Sequence, residues 1–313
     1  MEWVIGFLAV AALSVGASWS LAGAGRRRLT GEERARLAPG ETVRLVDGEI
    51  HYTERGPADG RVVVLAHGFG VPHFVFEQTA TGLVEAGYRV VLFDHFGRGW
   101  SDRPRASYDV DFFDREIAEL ITALRLAEPV VLVGYSMGGV IAAEFAARHA
   151  QRVAALVLLA PAGLSIQPFL GKFFGRLLLI PLVGDWLWRL RGHTMLLNDA
   201  VFKEAAEADR CLQGDDTLQM AYSGYYNALL QSWRHLPMRD RDSAFGNAAR
   251  SVPTLALFGD RDETIPPESV TRLRKAAPTA EVEIIEGGSH VMLYEMHDVV
   301  TPKIIDFLKR KLG

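Results

Sequence analysis

Three residue types, far apart in this sequence, could together carry out nucleophilic chemistry: a serine, a histidine and an aspartate. Ser136 stands in Gly134-Tyr135-Ser136-Met137-Gly138, which fits G-x-S-x-G. The apolar, β-branched run Val130 to Val133 precedes it and reads as a strand buried on both faces. The stretch VIAAEFAARH follows Gly139 and is good helix sequence. A nucleophile held at such a strand-to-helix turn leaves no room for side chains two residues to either side, which accounts for both glycines. A serine hydroxyl is a weak nucleophile at neutral pH, so Ser136 needs a base, and the base needs an orienting acid.

The search for those partners depends on the elements that would position them. Glu41 to Val46 and Ile50 to Glu54 read as strands joined by the hairpin signal Asp47-Gly48. Val62 to Ala66 and Tyr88 to Asp94 are further strands, with a helix at Phe76 to Ala86 between them. Val110 to Leu126 reads as an amphipathic helix capped near Asp109, its acids on the outer face. After the strand Val153 to Ala160 the alternation stops, and Pro161 to about Arg250 shows helical stretches only. It resumes with the strand Thr254 to Phe258, a helix at Pro267 to Ala277, the strand Glu281 to Ile285 and a closing helix at Val299 to Leu312. Such alternation predicts an α/β fold: a mostly parallel sheet with helices on both faces, interrupted by an inserted helical cap.

In open α/β sheets functional groups gather in loops beyond the carboxyl ends of strands. That rule selects Asp260 and Asp262 after the strand Thr254 to Phe258, and His290 after Glu281 to Ile285. His297 falls at the start of the last helix and is set aside in favour of His290. The chain order is then Ser, Asp, His, with the acid open between two aspartates.

The remaining composition excludes other classes. Net charge is −4 with no basic stripe, which argues against nucleic acid as a partner. Cys211 is the only cysteine, so an intrachain disulfide or a cysteine-based metal cluster is impossible. No HExxH or comparable ligand spacing occurs, and no metal or cofactor is expected. The 313 residues suffice for one large α/β domain with an insertion.

The N-terminus carries a separate signal. Trp3 to Gly25 holds no charged residue, and Arg26, Arg27 and Arg28 follow at once. A run of about 20 apolar residues is enough to span a bilayer. Residues 1–28 are therefore expected to be a single-pass membrane anchor with an arginine flank, which puts the catalytic domain in the cytoplasm by the positive-inside rule. The alternative is a signal peptide cut after Ala22-Gly23-Ala24, giving a secreted or periplasmic protein. Residues 29–40 read as a linker or short helix, 41–161 and 251–313 as the core, and 162–250 as the cap.

Taken together, HGFG at 67–70, GYSMGG at 134–139, GDRDETIP at 259–266 and GGSH at 287–290 resemble the α/β-hydrolase family over nearly all of residues 41–313. The resemblance implies that Asp262 rather than Asp260 is the acid, from the pattern G-x-x-D-x-x-x-P, with Asp260 capping a turn. It implies His290 as general base, and the backbone N–H groups of Phe69 and Met137 as the oxyanion hole. His67 would fix its loop by hydrogen bonds. Asp94 and Arg98 would serve structure, with salt bridging favoured.

Family members that act on epoxides or haloalkanes use aspartate where this chain has Ser136, so ester hydrolysis through an acyl-serine is the expected reaction. Phe169, Phe173, Phe174, Trp186 and Trp188, with many leucines among them, give the cap an apolar stretch that either packs on the core or forms a mouth for lipid. With the anchor, GYSMGG and the APAGL segment at 160–164, it is similar to membrane-bound monoacylglycerol lipases. The expected substrates are monoacylglycerol-like or other medium-chain esters. The alternative is a C–C bond hydrolase of ring-fission products using the same triad. Oligomeric state is not legible.

Overall fold

The computed structural model describes Trp3 and residues 26–166, 172–198 and 219–313. The chain enters through helix α1 (Gly31–Leu37), whose first turn is capped by the Thr30 hydroxyl accepting from Glu33 N–H at 3.1 Å. This segment does more than link. Arg34 is buried and pairs with Glu49 and Asp102, which fastens α1 to the core.

Eight strands form one sheet: β1 (Glu41–Leu45), β2 (Gly48–Arg55), β3 (Val62–Ala66), β4 (Arg89–Phe93), β5 (Val130–Tyr135), β6 (Val153–Leu159), β7 (Thr254–Gly259) and β8 (Glu281–Ile285). Their spatial order is β1-β2-β4-β3-β5-β6-β7-β8. β2 runs antiparallel to both β1 and β4, and all other pairs are parallel. Every residue of β3 and β5 is buried, as their unbroken apolar runs require of strands covered on both faces.

Helices α2 (Glu77–Glu85), α3 (Val110–Ala123) and α4 (Met137–Arg148) connect the early strands. The Asp109 side chain caps α3 by accepting from Phe112 N–H at 2.9 Å, as the sequence predicts. One expectation fails on α3: Glu116 lies on the inner face, buried beside His95 and the Phe96 N–H. The inserted block holds α5 (Lys172–Leu178), α6 (Val183–Asn198), α7 (Tyr225–His235) and α8 (Asp242–Ser251). α9 (Pro267–Ala276), α10 (Met292–Glu295) and α11 (His297–Leu312) complete the core.

The buried residues fall into two clusters. The large one surrounds the sheet and includes Phe245 of α8, so α8 packs with the core although the expected cap, 162–250, takes in nearly all of it. The small one joins Leu178, Trp188, Leu196, Tyr225, Tyr226 and Leu230 from α5, α6 and α7. The cap thus has an apolar core of its own. Among the described residues no helix is long and apolar enough to cross a membrane; the expected anchor over 1–28 lies almost wholly outside them, as does Phe169 of the cap.

Candidate active site

Ser136 joins β5 to α4 in a conformation that costs energy, with φ 52° and ψ −114°. The backbone around it holds that strain in place. Ser136 N–H donates to Leu159 O of β6, and its carbonyl accepts from Gly139 and Ala162 N–H, each at 2.9 Å. The glycines are there for space. A Cβ on Gly134 would meet Gly138 O at 2.3 Å, and one on Gly138 would meet Ala66 O at 2.0 Å. Both contacts are with backbone, which cannot give way as a flexible side chain would.

The partners arrive from the loops after β7 and β8. Those loops touch so closely that a Cβ on Gly259 would lie 2.1 Å from Gly288 O. The Ser136 hydroxyl is 3.0 Å from His290 Nε2, and His290 Nδ1–H donates to Asp262 Oδ2 at 2.8 Å. The other Asp262 oxygen accepts from Thr264 and Ile265 N–H, both at 2.8 Å. These two bonds fix the carboxylate so that one oxygen faces the imidazole. Ser136, Asp262 and His290 are 7%, 9% and 2% exposed, so the chain of hydrogen bonds is largely shielded from water. Asp260 does something else: its side chain accepts from Gly287 N–H at 2.7 Å and ties the two loops together.

Met137 is the first residue of α4, so its N–H is one of the donors that a helix leaves unused at its start. The loop carrying Phe69 runs alongside, since a Cβ on Gly68 would sit 3.5 Å from Ser136 Cβ. His67 anchors this loop as expected. Its Nδ1–H donates to Gly68 O and its Nε2 accepts from His95 N–H, each at 2.9 Å. Burial first, then the neighbouring His95, hold its imidazole well below the usual range, so it stays neutral and suited to that bonding.

The loop Asp94 to Pro104 serves structure, in part through the pairing of Asp94 with His51 and His73. Asp94 and Arg98 make no salt bridge with each other. Asp94 is fully buried and accepts from His51 Nδ1–H, His73 Nδ1–H, and the backbone N–H groups of His73 and Trp100, at 2.8–3.0 Å. Burial would raise its pKa, but the cationic His73 and these donors outweigh that and hold it well below the ordinary value. His51, His73 and Asp94 offer ligand atoms within 4.8 Å of one another, a set that could hold a metal. The same atoms already satisfy each other, and His51 Nε2 is engaged by Pro39 O, so the trio reads as a structural hub.

Arg98 is also fully buried and forms no ion pair among the described residues. Its Nε–H donates to Phe69 O at 3.1 Å and one Nη donates to Phe96 O at 3.2 Å. The other reaches Ser232 Oγ of α7 at 2.7 Å and the Met137 sulfur at 3.6 Å. A single guanidinium therefore touches both expected oxyanion residues and the cap. The cap closes on the same loop from its own side: Gln219 Nε2–H and the Tyr225 hydroxyl donate to Gly70 O at 2.9 and 3.1 Å, and the Phe69 ring packs edge-on against Trp233. No local sequence signal marks Arg98 as central; its partners come from four separate segments.

An eight-stranded, mostly parallel sheet with a serine at the turn after β5 and a histidine after β8 defines the class of alpha/beta hydrolases. The chain belongs to the alpha/beta hydrolase fold family, whose model matches residues 61–296. It is similar to a putative non-heme chloroperoxidase of Synechocystis sp., with 30% identity over 83% of this chain and 95% of that protein. It is also similar to a cis-3-alkyl-4-alkyloxetan-2-one decarboxylase of Xanthomonas campestris, with 25% identity over 83% of this chain and 92% of that one. Among solved structures, an esterase from Exiguobacterium antarcticum superposes with a TM-score of 0.68 at 25% identity, covering 87% of this chain and all (100%) of the esterase.

Proposed function

We propose that this hydrolase cleaves carboxylic esters through an acyl-serine, with Ser136 as nucleophile, His290 as base and Asp262 as its orienting acid. The observation that carries the reading is the continuous hydrogen-bonded chain from Ser136 Oγ through His290 to Asp262 Oδ2. His290 Nε2 takes the hydroxyl proton as Ser136 Oγ attacks the ester carbonyl, while the Asp262 carboxylate stabilises the imidazolium. The N–H groups of Phe69 and Met137 receive the developing oxyanion, a contribution of roughly 3 kcal/mol per donor. The imidazolium then protonates the departing alkoxide, and a water activated by the neutral imidazole releases the acid.

The proposed substrates are lipid-like: monoacylglycerols or other medium-chain esters, met at a membrane to which the N-terminal segment anchors the chain, with the catalytic domain on the cytoplasmic side. Two features favour a bilayer-facing cap. The turn between α5 and α6 exposes Leu179, Ile180, Leu182 and Val183 consecutively save for Pro181, with Leu182 at 75%. Such a contiguous apolar tip is unusual on a surface that meets only water. The second is that Arg27, which follows the apolar run in sequence, bridges to Tyr222 just before α7, so the described chain starts beside the cap.

The test is hydrolysis of p-nitrophenyl esters from acetate to palmitate and of a monoacylglycerol, for the wild type and Ser136→Ala. Activity peaking at medium or long chains and abolished in the variant is the expected result. Activity on acetate alone would remove the lipid reading. Turnover of a ring-fission diketone with none on any ester would replace it with C–C hydrolysis.

A further inference from the structure

Gln219 lies in the inserted block, a few residues before α7, and no sequence pattern marks it. Its side chain is 2% exposed, and both ends of its amide are used. Nε2–H donates to Gly70 O at 2.9 Å, and Oε1 accepts from Gly99 N–H at 2.8 Å. These partners fix which end of the amide is which, because a carbonyl oxygen only accepts and a backbone N–H only donates. One side chain of the cap thus bridges two core loops that stand 149 and 120 positions away in the chain. Its neighbour Met220 and the nearby Tyr225 belong to the cap's own apolar cluster, so the segment carrying Gln219 is held by the packing of the cap.

The loop of Gly99 is anchored without help from the cap. Asp94 accepts from the next residue's N–H, that of Trp100, at 2.9 Å, and Gly99 O accepts from an Arg103 Nη–H at 2.7 Å. A Cβ on Gly99 would collide with the Asp94 carboxyl group, so the backbone there is pressed directly against the buried carboxylate. Asp94 is in turn fixed by His51 and His73. Gln219 Oε1 is therefore bonded to one of the most constrained peptide groups beside the site.

The loop of Phe69 and Gly70 needs such an anchor. The Phe69 N–H shares a rigid peptide plane with Gly68 O, which His67 Nδ1–H holds at 2.9 Å. That bond fixes the plane from one side only, and the aim of the N–H also depends on where the chain continues. The next two carbonyls are Phe69 O, held by Arg98 Nε–H at 3.1 Å, and Gly70 O, held by Gln219 and by the Tyr225 hydroxyl at 3.1 Å. Of these donors, Gln219 alone also bonds Gly99. We infer that Gln219 is a positioning residue: it passes the fixed geometry of the Asp94 loop to the Phe69 loop and so aims the Phe69 N–H at the developing oxyanion. This role rests on the oxyanion assignment of Phe69 proposed above, but not on an ester being the substrate.

The test is the second-order rate at which a fluorophosphonate labels Ser136 in the full-length chain. In that reaction the Ser136 Oγ–P bond forms, the P–F bond breaks, fluoride leaves, the hydroxyl proton passes to His290, and the phosphoryl oxygen occupies the oxyanion position. Gln219→Met removes both amide bonds at nearly constant volume and should slow labelling by about 10-fold, with kcat for p-nitrophenyl butyrate falling in parallel and KM within about threefold. Tyr225→Phe leaves Gly70 O to Gln219 and should cost about threefold or less. The double variant frees that carbonyl and should approach the roughly 10²-fold loss of a whole oxyanion donor. Circular dichroism and thermal denaturation establish that each variant is folded at the assay temperature. Should Gln219→Met not fold, Gln219→Glu, which keeps the acceptor for Gly99 N–H and loses the donor to Gly70 O, decides the question by the same rate. A folded variant labelled at the wild-type rate, or a loss confined to KM, overturns the positioning role. A wild type that takes no label overturns the activated serine and this role together. A wild type that is labelled but cleaves no ester overturns only the ester reading, and the labelling rates still decide the role of Gln219.

Discussion

Replacing Arg98 by methionine separates the roles of packing and positioning in the oxyanion loop. Methionine keeps the apolar stem among Phe69, Tyr108 and Phe113, whose rings lie 5.6–5.8 Å from the guanidinium carbon, but removes every donor. The carbonyls of Phe69 and Phe96 and the Ser232 hydroxyl then lose a charged partner. Bonds to a charged group contribute about 1.5–3 kcal/mol each, but withdrawing an unpaired cation from the interior recovers much of its desolvation cost, so global stability changes little. The catalytic effect has a different limit. If the Phe69 N–H is displaced, at most one oxyanion donor is lost, which is about 10²–10³-fold in kcat. Partial displacement of a loop still held by His67 and Gln219 places the expected loss at roughly 10–100-fold in kcat, with KM within about threefold of wild type. Steady-state hydrolysis of p-nitrophenyl butyrate measures both constants, and a boronic acid inhibitor that occupies the oxyanion position should weaken in proportion to kcat. Wild-type kcat in a folded Arg98→Met protein, or a loss confined to KM, would refute the positioning argument.

Asp262→Asn leaves His290 without its charged partner, and kcat should fall by about 10⁴-fold with the melting temperature nearly unchanged, read by the same assay together with thermal denaturation. Gly138→Ala forces a Cβ to 2.0 Å from Ala66 O, so the yield of folded protein should collapse or its melting temperature should drop sharply, corresponding to about 3 kcal/mol or more; a well-folded, active variant would contradict the proposed packing of the turn. Burial raises the Glu116 carboxyl to about 8, and at His73 the Asp94 charge and hydrogen bond overcome burial to raise the imidazole above its ordinary value. Both groups hold protons more tightly folded than unfolded, so their contribution is complete at acid pH below their unfolded values and is lost as pH rises through the folded ones. Below about pH 6.5 His67 and His95, whose imidazoles burial holds below the ordinary value, act in the opposite sense, so the melting temperature should decline only from about pH 6.5 to about pH 8, and Glu116→Gln should flatten that decline; an identical slope in the variant would remove Glu116 as a source.

The sequence by itself determined the strand-turn-helix around Ser136, the chain order of Ser136, Asp262 and His290, and the α/β class. These follow from short-range causes: apolar runs that need burial on both faces, glycines that a tight turn requires, and loops that must follow strands. The choice of Asp262 over Asp260 came from a pattern, and the fold supplies its reason, since only Asp262 reaches His290 while Asp260 ties two loops. What only the tertiary structure decided are the destinations of long polar side chains. Glu116 reads as a surface charge because charge on a helix usually meets water, and Arg98 reads as a salt-bridging loop residue. Their burial depends on partners 20 to 134 positions away: Phe96 and His95 for Glu116, and Phe69 and Ser232 for Arg98. Likewise three arginines after an apolar run read only as a flank. Only the fold sets two of them, Arg26 and Arg28, in the wall of one cavity with Arg103 and Arg105. Local sequence records the conformation of the chain, whereas which polar groups meet inside it is a property of the whole packed molecule.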